Sequence, residues 1–395
     1  MISNIISKGL KGSPKIPGDK SISHRSVIIP SISNGISEIT NILKSDDVLN
    51  TIKAFKSMGV EINEIKNKLI VNGKGLNSLK KPIGEIYLGN SGTSARLLTG
   101  LLSSQSFDTV LTGDSSLSSR PMKRISEPLS KMGAKILSNN GTLPLKINGT
   151  ELSNTTIDIN IPSAQIKSGI ILAALNTYGI TTIIENKNTR DHTETMLNAF
   201  GADISIEKQD IKKIIKINGR KSLNSINIEV PNDLSSSAFF IVAALINKNS
   251  HLVLKNININ PTRNGILIAL EKMGAKILFS NQREINNERV CDLEVFSSEL
   301  NGCELEGDIA DLMIDEYPIL SVAASFAKTP SVFRGLGELK VKESDRLNLI
   351  KLNLQNCGVD CKVLNDDLFI FPKKNYEIIN NKIQTNYDHR IAMAF

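Results

Sequence analysis

Cationic and hydroxyl side chains recur in this chain at places that read as helix starts. The octet Gly18-Asp19-Lys20-Ser21-Ile22-Ser23-His24-Arg25 sets Lys20 and Arg25 beside the Ser21 hydroxyl, a group suited to phosphate and carboxylate. In Leu88-Gly89-Asn90-Ser91-Gly92-Thr93-Ser94-Ala95-Arg96, Gly92 and its small neighbours let a ligand approach the backbone closely. That segment lacks the Gly-Lys-Ser/Thr ending of a triphosphate-binding loop. Arg120 directly precedes Pro121, so it is expected to be extended with its guanidinium exposed. Ser163, Gln165 and Lys167 offer hydroxyl, amide and ammonium groups at another helix start, and Arg190 adds a guanidinium within Thr189-Arg190-Asp191-His192-Thr193-Glu194. Three later clusters are Asp315-Glu316-Tyr317-Pro318, Val341-Lys342-Glu343-Ser344-Asp345-Arg346 and Asp388-His389-Arg390.

Each cluster has a plain alternative. The charges can be solvated turns or a helix face, the glycines tight turns, the acids and hydroxyls caps, and His24 a structural hydrogen-bonder. Gathered at helix N-termini, however, they meet unpaired N–H groups and the positive end of a dipole. Such ends, brought together, make a site for multiply charged phosphates.

The elements that must position these groups form a repeat. An apolar helix end, a Gly, a small residue and a strand recur around Gly59, Gly133, Gly201, Gly274 and Gly358, at spacings of 74, 68, 73 and 84 residues. Each Gly is expected to end a helix in a left-handed conformation. A second series, Asp19, Asn90, Ser163, Asn232, Asp315 and Asp388, consists entirely of residue types that cap helix N-termini. Its spacings are 71, 73, 69, 83 and 73 residues. Each unit reads as strand–helix–strand–helix–strand–strand, an α/β (α+β) pattern about 70 residues long. Six helix openings face five closing glycines. The sixth unit starts at Asp388 and the sequence stops at Phe395, which leads to the expectation of a C-terminal truncation of about 40–50 residues.

Composition excludes other classes. With 395 residues, 40% hydrophobic and 22% charged, the chain is an ordinary globular one of two or three domains. No apolar run suits a membrane helix and no secretory signal opens it, so a cytoplasmic protein is expected. A net charge of +7 raises nucleic acid as a partner, but the basic residues are scattered and there is no Trp for stacking. Small anions account for the excess equally well. Cys291, Cys303, Cys357 and Cys361 lack the partners of a zinc site and read as reduced thiols.

The ordered set Gly-Asp-Lys-Ser-Ile-Ser-His-Arg, Gly-Asn-Ser-Gly-Thr, Arg-Pro-Met, Ile-Asp-Glu-Tyr-Pro, Val-Lys-Glu-Ser-Asp-Arg and Asp-His-Arg-Ile-Ala-Met resembles the signatures of the 5-enolpyruvylshikimate-3-phosphate synthase family over nearly the whole chain. The Ser-Ala-Gln and Thr-Arg-Asp-His-Thr-Glu segments are similar to its second bacterial class. The resemblance implies the two-lobed enolpyruvyl transferase fold of six βαβαββ units, the sixth incomplete here, with helix N-termini facing the interlobe cleft. One lobe would comprise residues 1–18 and 231–395, the other the inserted residues 19–230. It implies transfer of the enolpyruvyl group of phosphoenolpyruvate to the 5-hydroxyl of shikimate 3-phosphate, by a monomer that uses no metal or organic cofactor. Lys20, Ser21, Arg25, Ser163, Gln165, Arg190, Asp315 and Lys342 would hold shikimate 3-phosphate. Lys20, Gly92, Arg120, Gln165, Arg346 and Arg390 would meet phosphoenolpyruvate. Asp315 and Glu343 would share the base and acid roles, interchangeably, with Lys20 assisting the leaving phosphate. A Gly at position 92 implies sensitivity to glyphosate, the family's herbicide inhibitor.

Two other readings compete. The related transferase acting on UDP-N-acetylglucosamine shares fold and donor, but carries a Lys-Asn signature and a mobile-loop Cys, whereas no Cys precedes Cys291 here. A non-catalytic repeat protein or gene fragment would bind anions without turnover.

Overall fold

A computed structural model describes residues 8–209, 212–373, 379–380 and 382–395. The closing glycines explain the repeat in backbone terms. Gly59, Gly133, Gly201, Gly274 and Gly358 are all left-handed, with φ of 84°, 93°, 78°, 83° and 81°. After each, the next residue's N–H returns to the carbonyl five residues back: Val60 to Phe55, Ala134 to Leu129, Ala202 to Leu197, Ala275 to Leu270 and Val359 to Leu354. This 6→1 bond satisfies a carbonyl the helix end leaves open, and only a residue without Cβ adopts the required φ cheaply.

The helices are of two kinds. Lys20–Ser31, Gly92–Ser103, Ala164–Ala174, Leu234–Ile246 and Tyr317–Ser325 are buried over most of their surface, as their small and apolar residues allow. Helices such as Asp46–Ser57 bury one stripe, here Val48, Thr51, Ala54 and Phe55, at the spacing of a 3.6-residue turn.

The described strands form five four-stranded sheets of one design. A short strand runs parallel to a second, which joins an antiparallel hairpin. Ile86–Tyr87 pairs with Thr109–Thr112, that strand with Thr142–Asn148, and that in turn with Lys135–Asn139. The parallel step crosses over through Gly92–Ser103, as parallel pairing requires. In two sheets the short strand comes from elsewhere in the chain. Lys11–Gly12 pairs with His251–Asn258, and Ile228–Glu229 with Asn34–Thr40.

The chain divides into two compact units: Gly18–Pro231 with Ile285–Glu288, and Met1–Pro17 with Asn232–Glu284 and Arg289–Phe395. The borrowed strands therefore complete a sheet within each unit. Each unit has its own apolar core, one including Val27, Phe55, Leu98 and Ile170, the other Leu234, Ile241, Leu320 and Ile350. No helix among the described residues is long and apolar enough to cross a membrane.

Candidate active site

In the Gly18–Pro231 unit, three helix starts carry the polar groups. Asp19 is buried and its Oδ1 accepts from Ile22 N at 2.8 Å, capping Lys20–Ser31. Ser91 caps Gly92–Ser103 by accepting from Ser94 N at 3.1 Å, and Ser163 caps Ala164–Ala174 more loosely, from Ile166 N at 3.5 Å. Lys20 pairs with Asp47, and Ser21 and Ser163 are half-buried.

Three expected helix openings shift by one residue. Ser91 replaces Asn90 because the Asn90 amide is committed elsewhere, accepting from Arg120 Nη2 and donating to Asp114 Oδ2 at 2.9 Å. Asp233 replaces Asn232, accepting from Ser236 N at 3.1 Å, while Asn232 Nδ2 donates to Lys255 O at 2.8 Å. Glu316 replaces Asp315 without a side-chain cap bond, Asp315 being engaged by Arg346. Arg120 likewise departs from the freely exposed fork expected before a proline. It is half-buried, bonded to Asn90 and to Ser116 Oγ at 3.3 Å, and its Nε is buried without a hydrogen-bond partner among the described residues.

Gly92 has a specific steric reason to be glycine. A Cβ there would lie 2.8 Å from Arg96 Nη1 and 3.1 Å from Arg120 Nη1, so its absence lets two guanidinium groups converge over a helix start. Arg96 Nη1 donates to Gln165 Oε1 at 2.7 Å and Gln165 Nε2 to Thr93 Oγ1 at 3.0 Å, joining the Gly92 and Ala164 helix starts.

Arg25 is buried and ties three helices together. Its Nη1 donates to Ser21 O at 2.9 Å, Nη2 to Ser168 Oγ at 2.8 Å and Nε to Thr193 Oγ1 at 2.7 Å. Burial pushes its pKa down to about 10 against the pull of Glu194 and Asp19, and the neighbouring charge of Arg190 adds to the fall. Arg190 itself is half-buried, two residues before helix His192–Ala199. His24 is buried and neutral: burial, then Lys20 and Arg25, hold its pKa well below 6.5. Its Nδ1 lies 2.8 Å from Thr51 Oγ1 and 3.3 Å from Ser94 Oγ.

In the other unit the run Val341–Arg346 is not a solvated helix face. Lys342 to Asp345 bridge a short 3₁₀ turn, Gly337–Val341, and helix Arg346–Asn356, turning the Arg346 side chain into the unit's interior. Three carboxylates surround that guanidinium: Nε donates to Asp388 Oδ2 at 2.8 Å, Nη1 to Asp315 Oδ1 at 3.0 Å, and Nη2 to Glu343 Oε2 at 2.5 Å. Burial alone lowers the Arg346 pKa, but Glu343, Asp315 and Asp388 outweigh it and drive the value up. Arg390 Nε stands 3.9 Å from Asp315 Oδ1. Burial pushes the half-buried Lys342 below the ordinary lysine value, with Asp315 opposing. Asp315, Lys342, Glu343, Arg346 and Arg390 therefore form one charged cluster around a single guanidinium.

One expectation fails and two roles were missed. Lys167 offers no ammonium to a ligand at its helix start; it is fully buried against Glu185 and Glu194. Asp388 does more than cap its helix, since it also anchors Arg346, and Asp47 holds Lys20. The long sequence separations hide these partnerships. The one available signal was Asp388's capping position beside an arginine-bearing segment.

The EPSP synthase family, described as 3-phosphoshikimate 1-carboxyvinyltransferase, matches residues 5–395. A 3-phosphoshikimate 1-carboxyvinyltransferase of Ruthia magnifica is 45% identical over 391 residues, 98% of this chain and 88% of the relative. One from Rhizobium johnstonii is 44% identical over 397 residues, covering 98% and 88%. A solved EPSP synthase from Acinetobacter baumannii superposes with a TM-score of 0.86 at 42% identity, covering 98% of this chain and 88% of that one. Matched by the family over residues 5–395 and by relatives 44–45% identical over nearly its whole length, the chain belongs to the EPSP synthase family.

Proposed function

We propose that this protein transfers the enolpyruvyl group of phosphoenolpyruvate to the 5-hydroxyl of shikimate 3-phosphate and releases phosphate, the 3-phosphoshikimate 1-carboxyvinyltransferase step of aromatic amino-acid biosynthesis. The family match over residues 5–395 carries this reading.

Within it, Lys20, Ser21, Arg25, Ser163, Gln165, Arg190, Asp315 and Lys342 hold shikimate 3-phosphate. Phosphoenolpyruvate is met by Lys20, Gly92, Arg120, Gln165, Arg346 and Arg390. The acceptor oxygen attacks the enolpyruvyl carbon while its proton passes to Asp315 and Glu343 protonates the methylene carbon. Phosphate then leaves from the tetrahedral intermediate, assisted by Lys20, as a methyl proton is returned and the double bond reforms. The roles of Asp315 and Glu343 are interchangeable on this geometry, both being held by Arg346. A donor anion that takes an Nη of Arg346 releases one of these carboxylates for proton transfer, while the remaining cations stabilise the developing charge. The protein works as a cytoplasmic monomer with no metal or organic cofactor and no nucleic-acid or membrane partner. Its lobes, residues 1–18 with 231–395 and residues 19–230, are built from three repeat units each, the last one incomplete; the five identical helix closures support five of the six.

Phosphate release from phosphoenolpyruvate by the purified chain tests the reading, with shikimate 3-phosphate or UDP-N-acetylglucosamine as acceptor. Release with shikimate 3-phosphate alone is expected. Release only with the UDP-sugar overturns the acceptor, and no release with either overturns the activity.

A further inference from the structure

A buried charge network lies behind the Arg190 segment, and none of its members belongs to the proposed binding set. Lys167 is fully buried on helix Ala164–Ala174. Its Nζ lies 3.1 Å from Glu185 Oε2, 2.9 Å from Glu194 Oε1 and 3.3 Å from the Thr189 carbonyl. Glu185 ends strand Ile180–Glu185, and Glu194 sits in the first turn of helix His192–Ala199. One ammonium thus grips both ends of the connection between those elements and, through Thr189, the peptide immediately before Arg190. Thr189 Oγ1 closes the loop by donating to Glu185 Oε1.

Electrostatics argue that this network serves geometry. Two cations, Lys167 and Lys213, balance two carboxylates, Glu185 and Glu194, with Lys213 Nζ 3.5 Å from Glu194 Oε1. All four side chains are buried, and Glu194 Oε2 has no hydrogen-bond partner among the described residues. Taking such charges from water costs more than apolar packing of the same volume, so stability alone does not explain them. What the network does define is direction: an ammonium has three donors, and here three acceptors on one segment surround it. The next residue of the helix, Ser168, lies 2.6 Å from Thr193 Oγ1, and both accept from Arg25. The same helix therefore sets the Arg190 segment and the Arg25 guanidinium together.

We propose that Lys167 is a positioning residue that orients Arg190 for the anionic acceptor, through Glu185, Glu194 and the Thr189 carbonyl. The proposal rests on the reading above, in which Arg190 holds shikimate 3-phosphate.

The test compares steady-state kinetics of Lys167→Met/Glu194→Gln, which removes one charge of each sign, with those of Arg190→Gln and the triple variant. The paired variant should raise KM for shikimate 3-phosphate by the worth of one charge-assisted contact, about 10- to 100-fold. Its kcat and its KM for phosphoenolpyruvate should stay within about twofold of wild type. Adding Arg190→Gln should then raise KM little further, because both changes remove the same contact. An unchanged acceptor KM, a loss shared by both substrates, or fully additive effects would overturn the proposal. Should the paired variant not fold, Lys167→Arg preserves the charge balance, and the same split in KM is expected from its wider, planar head. Calorimetric binding of shikimate 3-phosphate separates the two levels of the argument. A wild-type chain that binds none, or binds no better than Arg190→Gln, overturns the acceptor assignment and the proposal with it, whereas equal binding by wild type and the paired variant alone overturns only the proposal.

Discussion

Asp388 Oδ2 accepts from Arg346 Nε at 2.8 Å while Asp388 Oδ1 accepts from Arg390 N at 2.9 Å, so one carboxylate both orients a buried guanidinium and caps helix His389–Ala394. Ser344 Oγ donates to the same Oδ2 at 2.9 Å. Asp388 is therefore the fixed point against which Arg346 presents its remaining nitrogens to Asp315 and Glu343.

Replacing Asp388 with Ala should destabilise the protein by about 3 kcal/mol, since a buried charge loses a partner and a helix loses its cap. Two carboxylates remain on Arg346, which keeps the loss at the low end. Burial raises the Asp388 pKa, but Arg346 and the hydrogen bonds hold it below the ordinary 3.8. A carboxylate depressed in the fold contributes stability above its unfolded value and loses it as pH falls through the folded one. Urea unfolding across pH 2–5 should therefore show a shallower acid limb in Asp388→Asn than in wild type, and equal limbs would contradict the pairing.

His24 acts in the same direction, but in a higher pH window. Its folded value lies well below 6.5, so below pH 6.5 the unfolded chain takes up a proton the folded chain refuses. Stability should fall with pH through that window, by at most about 1.4 kcal/mol per pH unit. His24→Asn, which keeps a polar atom near the Nδ1 position, should remove that slope between pH 6.5 and 5, as read by denaturant midpoints.

At Gly92, an added methyl group presses on the ends of two flexible side chains, Arg96 and Arg120, and reaches Leu117 Cδ1 at an ordinary 3.9 Å. Gly92→Ala should therefore fold normally while displacing both guanidinium groups by a few tenths of an ångström. The wild-type chain should be inhibited by glyphosate competitively with phosphoenolpyruvate, and Gly92→Ala should weaken that inhibition about tenfold or more. Equal inhibition of the two proteins would show that this methyl group does not reach the inhibitor.

The acid–base assignment turns on Asp315 and Glu343, which share Arg346. Asp315→Asn and Glu343→Gln should each lower kcat by about 10²- to 10⁴-fold with modest change in either KM. If both variants kept wild-type turnover, neither carboxylate would be transferring a proton.

The repeat was open to sequence reasoning because it is local. Gly59 and its four counterparts close their helices through bonds spanning five residues, and capping residues declare themselves within three. The family resemblance rested on short motifs of the same kind. Long-range partnerships were hidden: Asp315 and Asp388 lie 31 and 42 residues from Arg346, and Glu185 and Glu194 are two of many acids Lys167 could have met. Three caps moved by one residue because Asn90, Asn232 and Asp315 had partners elsewhere. The borrowed strands Lys11–Gly12 and Ile228–Glu229 are two residues long, too short to carry a periodicity, and exist only because a sheet edge receives them. Residue order alone thus determined the five helix closures and, to within one residue, the helix starts and the reactive groups near them. Tertiary structure decided which charge each group meets, because a buried charge takes its partner from whatever the folded chain brings within reach.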